Sequence, residues 1–308
     1  MKKALSISLG SSRRDKSVII NLLGEQIHIK RIGTEGDMRA ARHLFKENDG
    51  HVDAFGVGGT DLGLFVDDKW YPLHSVLPMV RDVNLSPIVD GCGLKNTLEA
   101  QSASFLEDQV GDYLDHIGRN ALVMTAVDRY GLLRSFVDAG YDCRFGDALF
   151  SLGVPLPIRK ERGVKTLAAM LIPLVSRLPF KWVYPVGEKQ QERHPRFEWI
   201  FDWASVIAGD CHYITQFMPD RLEGKIIVTN TTTLDDIQLF REAGVKYLVT
   251  TTPVYEGRSF GTNMIEAGLL AASGYRNKVD YRNHNGYFKM ISELIDAAEL
   301  KPQLQVLN

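Results

Sequence analysis

Residues 119–147 read RNALVMTAVDRYGLLRSFVDAGYDCRFGD, and this stretch decides the fold of the chain. The apolar run at 121–127 predicts a buried strand, a helix pattern follows, and residues 141–145 predict a second strand that Asp147 closes. This order is typical of the opening strand–helix–strand unit of a dinucleotide-binding domain. The turn VDRYGL, however, has a single glycine, Gly131, where the phosphate-binding fingerprint has three.

Strand and helix patterns continue to alternate toward the C-terminus. The strand patterns are apolar almost throughout, as expected where helices cover both faces of a parallel sheet. We predict strands at 121–127, 141–145, 182–186, 204–208, 225–229 and 246–251. The predicted fold class is therefore α/β, with a doubly wound, Rossmann-like parallel sheet in a nucleotide-binding domain at residues 119–280.

The first 118 residues predict a separate, strand-rich α/β domain on the substrate side. Short β-favouring runs at 3–9, 18–22 and 27–32 predict a meander, and a surface helix begins after Thr34. A long helix is predicted from about residue 95 to residue 116. Residues 281–308 carry a further helical pattern, which we expect to pack back on this N-terminal domain.

Composition excludes several classes of partner. The 308 residues are 44% hydrophobic and 24% charged, the balance of a soluble globular protein. A net charge of -2 provides no broad basic field for nucleic acid. The longest apolar stretch, at 167–175, is too short to span a bilayer, and the first residues lack a signal-peptide pattern. We therefore expect a cytoplasmic protein with a small-molecule partner, no nucleic-acid or membrane partner, and a homodimer as the assembly to test.

The three cysteines, Cys92, Cys143 and Cys211, lie far apart in the sequence. This spacing supports neither a disulfide framework nor a thiolate metal site. The histidines and acids show no HExxH arrangement. No metal site is predicted, and the cysteines are expected to be reduced and buried.

Ligands of parallel sheets bind beyond the carboxyl ends of the strands, where this sequence is rich in charged and hydroxyl residues. Asp147 follows Asp128 at about the 20-residue spacing at which an acid accepts from ribose hydroxyls, although a turn acid or a helix cap fits equally well. The Arg129 guanidinium and the start of the next helix could hold a diphosphate. The predicted cofactor-binding residues are Asp128, Arg129, Tyr130, Gly131, Asp147, Asn230, Thr231, Thr251, Thr252 and Pro253.

Candidate catalytic and substrate-binding residues lie in three loops. Lys95 stands at a predicted helix start, where the positive helix end favours the neutral amine that can take a proton; a solvated lysine is the alternative. Asp210 and His212, two residues apart on a predicted extended segment, would face the same side as an acid and base pair. Arg258 and Asn263 precede or begin a helix, where they could receive an anionic group of the substrate.

The segments YLVTTTPVYEG (247–257) and GTNMIEAGLLAASG (261–274) resemble the end of the cofactor domain in quinate and shikimate 5-dehydrogenases. The patterns SLGSSRRD, RIGTEGD and AFGVGGTDL also resemble bacterial proteins labelled quinate 5-dehydrogenase, over most of the chain. The resemblance implies an NAD- or NADP-dependent oxidoreductase that acts on a small cyclic hydroxy acid. It further implies that a lysine and an aspartate handle the hydroxyl proton, for which Lys95 and Asp90 in DGCGLKNTLE are the nearest counterparts.

The chain departs from that family in lacking a glycine-rich cofactor loop. Two other functions therefore stay open. The first is an S-adenosylmethionine-dependent methyltransferase with a Rossmann-like domain and a divergent loop. The second is a non-catalytic small-ligand sensor that keeps the fold without the cofactor.

Overall fold

A computed structural model describes residues 1–179, 193–255 and 258–308, without the side chains of Tyr255 and Arg258. The chain divides into two compact units, and each consists of three separate segments. Unit 1 comprises Met1–Leu94, Met170–Gln190 and Gly261–Leu300, and unit 2 comprises Lys95–Ala169, Gln191–Phe260 and Lys301–Asn308. The predicted domains, 1–118, 119–280 and 281–308, divide the chain at other residues.

Strands and helices are numbered along the chain. The strands are β1 (Lys2–Ser8), β2 (Lys16–Leu22), β3 (Glu25–Gly33), β4 (Ala54–Gly58), β5 (Gly63–Val66), β6 (Lys69–Pro72), β7 (Ile88–Val89), β8 (Asn120–Val123), β9 (Asp142–Phe145), β10 (Val206–Gly209), β11 (Ile226–Thr229), β12 (Tyr247–Thr250), β13 (Val254–Tyr255), β14 (Arg258–Ser259) and β15 (Gln303–Val306). The α-helices are α1 (Met38–Asn48), α2 (Cys92–Asn96), α3 (Ser102–Ile117), α4 (Tyr130–Asp138), α5 (Glu161–Val175), α6 (Glu198–Trp203), α7 (Cys211–Phe217), α8 (Leu234–Glu242), α9 (Thr262–Ser273) and α10 (His284–Ala297).

The main sheet of unit 1 has the strand order β2-β3-β1-β4-β7. Strand β2 is antiparallel to β3, whereas β1, β3, β4 and β7 run parallel to one another. The predicted meander is wrong, because β1 pairs with β3 and not with β2. The burial pattern gives the reason: β1 is buried on both faces, as a central strand requires, whereas β2 alternates between buried and exposed residues, as an edge strand does.

Helix α9 covers this sheet and shows why its sequence is rich in small residues. A Cβ on Gly268 would come within 3.1 Å of the side chains of Leu22 and Ile29, so the glycine lets the helix approach the sheet closely. The surface helix predicted after Thr34 is α1, and its start is capped by the carboxylate of Asp37. The helical pattern predicted at the C-terminus is α10, which belongs to unit 1.

The main sheet of unit 2 has the strand order β15-β12-β11-β10-β8-β9. Five of its strands are parallel, and β15 is added antiparallel to β12 at one edge. These five strands correspond to five of the six predicted strands, and the sixth, at 182–186, lies outside the described residues. The prediction of a mixed α/β fold with parallel sheets is therefore confirmed. The strand order reverses between β8 and β10, because β9 extends the sheet on one side and β11 and β12 extend it on the other.

The long helix predicted from residue 95 to residue 116 is interrupted. Helix α2 ends at Asn96, a 3-10 turn runs over Glu99–Gln101, and α3 begins at Ser102. A sequence window averages over such a break, because the residues on both sides keep a helical pattern. The break leaves Lys95 at the end of α2 and Glu99 in the 3-10 turn, both at the start of unit 2.

Candidate functional site

A cluster of charged side chains lies where strands β8 and β10 end in unit 2. Asp128 and Arg129 follow β8, and Asp210 follows β10. Lys95 and Glu99 reach the same place from the segment before α3. Doubly wound sheets bind ligands at the point where strand order reverses, which is where these strands end. We call these five residues the charged cluster.

Arg129 is the centre of the charged cluster. Its side chain is 3% exposed, its Nη1 donates to the buried carboxylate of Glu99, and its Nη2 donates to Asp210 Oδ2 at 2.8 Å. Its Nε lies 3.7 Å from Asp128 Oδ2. Burial alone would lower the pKa of the Arg129 guanidinium, but the three carboxylates outweigh burial and raise it. Arg129 therefore carries a permanent buried charge.

Lys95 and Asp128 form a hydrogen-bonded ion pair. Lys95 Nζ donates to Asp128 Oδ1 at 2.8 Å, and the two side chains are 9% and 31% exposed. The lysine is thus almost covered, while part of the carboxylate faces solvent. The sequence analysis assigned Lys95 to catalysis and Asp128 to cofactor binding, and the structure brings these two side chains into contact.

Asp210 holds the start of helix α7. Its Oδ1 accepts from the main-chain N–H of His212 at 3.0 Å, and its Oδ2 also accepts from Asn230 Nδ2 at 3.1 Å. The extended segment predicted around Asp210 and His212 is wrong, because His212 lies in the first turn of α7. Burial would raise the pKa of Asp210, but the Arg129 guanidinium outweighs burial and lowers it.

Asp147 is buried behind the turn that follows β8. Its Oδ2 accepts from the main-chain N–H of Ala126 at 3.1 Å, and its Oδ1 accepts from that of Val127 at 2.9 Å. Burial raises the pKa of Asp147 to about 6, although these N–H groups favour the ionised form. The carboxylate therefore holds the turn in place, which is the structural alternative that the sequence analysis left open.

Gly131 has a packing role. A Cβ on this residue would lie 2.1 Å from the main-chain oxygen of Lys95 and 2.9 Å from Cα of Asn96. Only glycine lets helix α4 approach the segment that carries Lys95 so closely. The neighbouring Tyr130 donates its hydroxyl to Glu161 on α5.

The hydroxyl residues predicted to bind a cofactor follow β11 and β12. Asn230, Thr251, Thr252 and Pro253 are buried, and Thr231 is half-buried. Thr252 donates its hydroxyl to the main-chain oxygen of Asn230. The buried hydroxyl of Thr251 has no hydrogen-bond partner among the residues that the structure describes. These side chains therefore line a polar interior at the ends of the two strands.

The other predicted residues lie outside the charged cluster. Asp90 belongs to unit 1, where its carboxylate accepts from the main-chain N–H groups of Leu62 at 2.7 Å and Cys92 at 3.1 Å. Asn263, also in unit 1, donates its side-chain amide to Ser6 Oγ at 2.7 Å. The main chain of Arg258 lies in β14, and its side chain lies outside the described residues.

The sequence analysis missed two buried acids, Glu99 and Glu266. Glu99 is four residues after Lys95, a spacing that places two helical side chains on one face. Glu266 is the only acid in the apolar helix α9, and it is fully buried in unit 1. A lone acid in an apolar helical run was the available signal, because such an acid requires buried partners.

Glu266 is hydrogen-bonded to neutral groups. Its Oε2 accepts from the main-chain N–H of Leu94 at 3.0 Å, and its Oε1 accepts from the Tyr287 hydroxyl at 2.5 Å. Burial, together with the nearby carboxylate of Asp90, raises the pKa of Glu266 to about 8. Glu266 is therefore protonated at neutral pH.

The turn after β8 does not fit a dinucleotide diphosphate bound in the usual way. That mode uses main-chain N–H groups of the turn, but Asp147 already accepts from Ala126 and Val127. The guanidinium of Arg129 is engaged by Glu99 and Asp210. The charged cluster also contains three carboxylates and only two cations, which disfavours a diphosphate in the same place.

The described residues contain neither a candidate metal site nor a candidate membrane-spanning helix. In the described ranges, no group of three or more histidine, cysteine, aspartate and glutamate residues could hold a metal ion. Among the helices of the same ranges, none is long and apolar enough to cross a membrane.

Most of the chain matches two known protein families. Residues 93–307 match the family described as "Domain of unknown function (DUF8754)". The chain belongs to the DUF8754 family. Residues 3–90 match a second description, "Domain of unknown function (DUF8753)". The DUF8754 match thus begins next to Leu94, the residue at which the first segment of unit 1 ends. No curated protein sequence matches the chain.

Solved structures resemble this DUF8754 chain only distantly. An NAD-dependent malic enzyme from Thermotoga maritima is 14% identical with a TM-score of 0.38, and the match covers 94% of this chain and 76% of that one. A malic enzyme from Entamoeba histolytica is 12% identical with a TM-score of 0.40, over 94% and 60% of the two chains. A Mycobacterium smegmatis protein in complex with β-D-fucofuranose is 11% identical with a TM-score of 0.34, over 100% of both. Likeness at this level does not decide an activity.

Proposed function

We propose that the protein is an enzyme that binds a small polar molecule at the carboxyl edge of the unit 2 sheet and exchanges a proton with it. The proton passes through the pair formed by Lys95 and Asp128. The observation that carries this proposal is the 2.8 Å contact between Lys95 Nζ and Asp128 Oδ1, next to a permanently charged Arg129. A lysine that is almost covered and paired with a half-exposed carboxylate can act as an acid–base couple.

The chemistry of the pair favours a substrate with a hydroxyl or a carbonyl group. The Asp128 carboxylate can accept the proton of a hydroxyl, and the Lys95 ammonium can donate a proton to a carbonyl oxygen. Because one group accepts while the other donates, the pair can serve both directions of a reaction. The 31% exposure of the Asp128 side chain provides the surface at which the substrate would be met.

A more specific candidate is an NAD- or NADP-dependent oxidoreductase of the quinate and shikimate dehydrogenase type, with a small cyclic hydroxy acid as substrate. The order of the parallel strands supports it. Because Asp147 accepts from the N–H groups of Ala126 and Val127, the nucleotide would have to be held by other groups. The hydroxyl residues that follow β11 and β12 are the candidates.

Two other functions remain as outcomes of the test. An S-adenosylmethionine-dependent methyltransferase would use the same strand ends for a different cofactor. A non-catalytic sensor would bind a small ligand without turning it over.

Calorimetric titration of the purified protein tests the proposal. The panel contains quinate, shikimate, their oxo counterparts, NADH, NADPH and S-adenosylmethionine. We expect a hydroxy or oxo acid to bind, and we expect Lys95→Met to weaken that binding about tenfold, which corresponds to the loss of one charge-assisted hydrogen bond of roughly 1.5 kcal/mol. Nicotinamide binding together with turnover would establish the oxidoreductase. Selective S-adenosylmethionine binding would establish the methyltransferase, and binding without turnover would establish the sensor.

Lys165→Met is the matched control. Lys165 also pairs with a carboxylate, that of Glu161 at 2.9 Å, but on the surface of α5 in unit 2. This variant should bind every compound as the unmodified protein does. The proposal fails if no hydroxy or oxo compound binds, or if Lys95→Met and Lys165→Met behave alike.

A further inference from the structure

The charged cluster contains two acids that the proposed proton exchange does not use, Asp210 and Glu99, and Glu99 is the more deeply buried. Its side chain is 1% exposed, and one carboxylate oxygen accepts from Arg129 Nη1. The other oxygen, Oε2, is buried and has no hydrogen-bond partner within the ranges 1–179, 193–255 and 258–308. Burial raises the pKa of the Glu99 carboxyl, whereas the cations of Arg129 and Lys95 favour its ionised form and offset the cost of burying it.

The position of Glu99 is fixed by close packing. The main-chain oxygen of Lys95 lies 2.1 Å from the position that a Cβ on Gly131 would take, so this segment and helix α4 are in direct contact. At the other end of the segment, the main-chain N–H of Ala103 donates to Ser135 Oγ on α4 at 2.8 Å. The main chain that carries Glu99 is therefore held against α4 on both sides.

Arg129 and Lys95 compete for the same carboxylate. Lys95 Nζ is 2.8 Å from Asp128 Oδ1, whereas Arg129 Nε is 3.7 Å from Asp128 Oδ2, too far for a hydrogen bond. The Arg129 side chain is held at that distance by its other two contacts, with Glu99 and Asp210. Of these two acids Glu99 is the more deeply buried, so its contact with Arg129 is less screened by solvent.

We propose that Glu99 is a positioning residue that holds the Arg129 guanidinium away from Asp128 and thereby keeps Asp128 paired with Lys95. The charged groups that face Glu99 are Arg129, Lys95 and Asp128. Without the Glu99 charge, Arg129 moves toward Asp128 and the Lys95 amine loses its carboxylate. The importance of this for catalysis rests on the proposed function, but the positioning itself does not.

The proton affinity of the Lys95 amine reports the charges around it, and these include Glu99 itself. The positioning is therefore read from the part of the Glu99→Gln shift that is absent when the protein already carries Asp128→Asn. Acetic anhydride labels only the neutral amine, so the labelling of Lys95, read by mass spectrometry over a range of pH, has a midpoint that follows the charges around the lysine. Loss of a close opposite charge lowers the proton affinity of an amine. We expect Glu99→Gln to move the midpoint to lower pH by about one unit, the lower end of the effect of a nearby charge. Glu99→Asp keeps the charge and should restore most of the shift.

Glu107→Gln is the control. Glu107 also pairs with an arginine, Arg119 at 2.7 Å, but its side chain is 31% exposed on α3. This variant should leave the Lys95 midpoint unchanged. The proposal is overturned if Glu99→Gln leaves the midpoint where it is, or if Glu107→Gln moves it equally.

A second variant covers the case in which Glu99→Gln does not fold. The double substitution of Glu99→Gln and Arg129→Gln removes both the acid and the competing cation, so the pair of Lys95 and Asp128 should survive. We expect its midpoint at or above that of the unmodified protein, and a lower midpoint would overturn the proposal. The labelling requires no substrate, so a shifted midpoint in a protein that binds no hydroxy or oxo compound would reject the proposed function and leave the positioning intact.

Discussion

Two carboxyl groups, Asp210 in unit 2 and Glu266 in unit 1, are held in opposite ionisation states. In unit 2, Asp210 lies against the guanidinium of Arg129, which lowers the pKa of the carboxyl and keeps it ionised. In unit 1, the Glu266 carboxyl accepts from the main-chain N–H groups of Leu94 and Gly93 and from the Tyr287 hydroxyl, and burial raises its pKa to about 8. Asp210 keeps its charge beside a counter-ion, and Glu266 avoids a buried charge by keeping a proton.

The difference between an ionised Asp210 and a protonated Glu266 bears on which acid could accept a proton from a substrate. A group that stays ionised at neutral pH can accept a proton from a substrate, whereas a protonated, fully buried acid is a hydrogen-bonding part of the core. The charged cluster of unit 2 is therefore where the proposed proton exchange would take place, and Glu266 contributes to the packing of unit 1. Four substitutions would break or sharpen this contrast, and we take them from the largest expected effect to the smallest.

Arg129→Met removes the counter-ion from unit 2. It leaves Glu99 and Asp210 without their cation, and the loss of one partner of a buried ion pair costs about 3 to 5 kcal/mol of stability. The measurement is urea-induced unfolding at neutral pH. Arg134→Met is the control, because Arg134 pairs with Asp138 and Glu161 while 43% exposed, and it should cost no more than about 1 kcal/mol. Equal losses in the two variants would contradict the contrast.

Glu266→Gln tests the protonated acid of unit 1. Because the pKa of Glu266 is raised from 4.5 to about 8, the folded state binds this proton more tightly than the unfolded state does. The stability it confers is complete below pH 4.5 and is lost as the pH rises toward 8. The glutamine side chain has no proton to lose in this range, so we expect the variant to match the unmodified protein near pH 5 and to exceed it near pH 9 by a few kcal/mol.

Thermal unfolding at a series of pH values measures this effect. Glu293→Gln is the control, because Glu293 is an exposed acid on α10 that pairs loosely with Lys289. Its pH profile should follow that of the unmodified protein. If Glu266→Gln shows the same decline with pH as the control, Glu266 is ionised at neutral pH and the contrast is lost.

Gly131→Ala tests whether packing supports the charges of unit 2. The added Cβ would meet the main-chain oxygen of Lys95 at 2.1 Å, so α4 and the Lys95 segment must separate. Overpacking of this kind costs about 1 to 3 kcal/mol. Gly111→Ala, on α3, meets only a Glu107 side-chain oxygen at 3.8 Å and should be neutral or stabilising by up to about 1 kcal/mol. Comparable unfolding midpoints for the two variants would show that the contact is not close.

Asp147→Asn tests the intermediate case, a carboxylate in unit 2 held by main-chain N–H groups. The amide can accept from only one of Ala126 and Val127 and turns a donor toward the other, a loss of about 1 to 2 kcal/mol near neutral pH. Because the pKa of Asp147 is raised from 3.8 to about 6, the unmodified protein loses stability between these values as the pH rises. The variant should lack that decline, and a decline of the same size in both proteins would assign it to another group.

Much of the unit 2 sheet could be predicted because its strands are short, apolar and separated by clear turns. The strand from 206 to 209 and that from 226 to 229 fall within a few residues of the predicted ranges. The pairing of β1 with β3 could not be predicted from local pattern, because pairing depends on contacts far apart in the chain. The break before α3 was missed because a period of 3.6 residues persists across it.

The position of the charged cluster at the strand ends could be predicted from the sequence, but the contacts among its side chains could not. The polar residues Asp128, Arg129 and Asp210 were identified from their place after predicted strands, which is a matter of topology. The contact between Arg129 and Glu99 could not be predicted from the sequence, because it joins residues 30 apart that only the folded chain brings together. The role of Gly131 was missed for the same reason, since its close neighbour, Lys95, lies far away in sequence.

The chain enters each unit more than once, so neither unit is continuous in the sequence. Strand β15, which completes the unit 2 sheet against β12, comes after α9 and α10, which belong to unit 1. A single cut between Leu94 and Lys95 would leave the first fragment without the helix that covers its sheet. Neither unit can be expressed as one uninterrupted fragment, and during synthesis unit 1 lacks a segment until Gly261–Leu300 has been added and unit 2 lacks one until Lys301–Asn308 has been added.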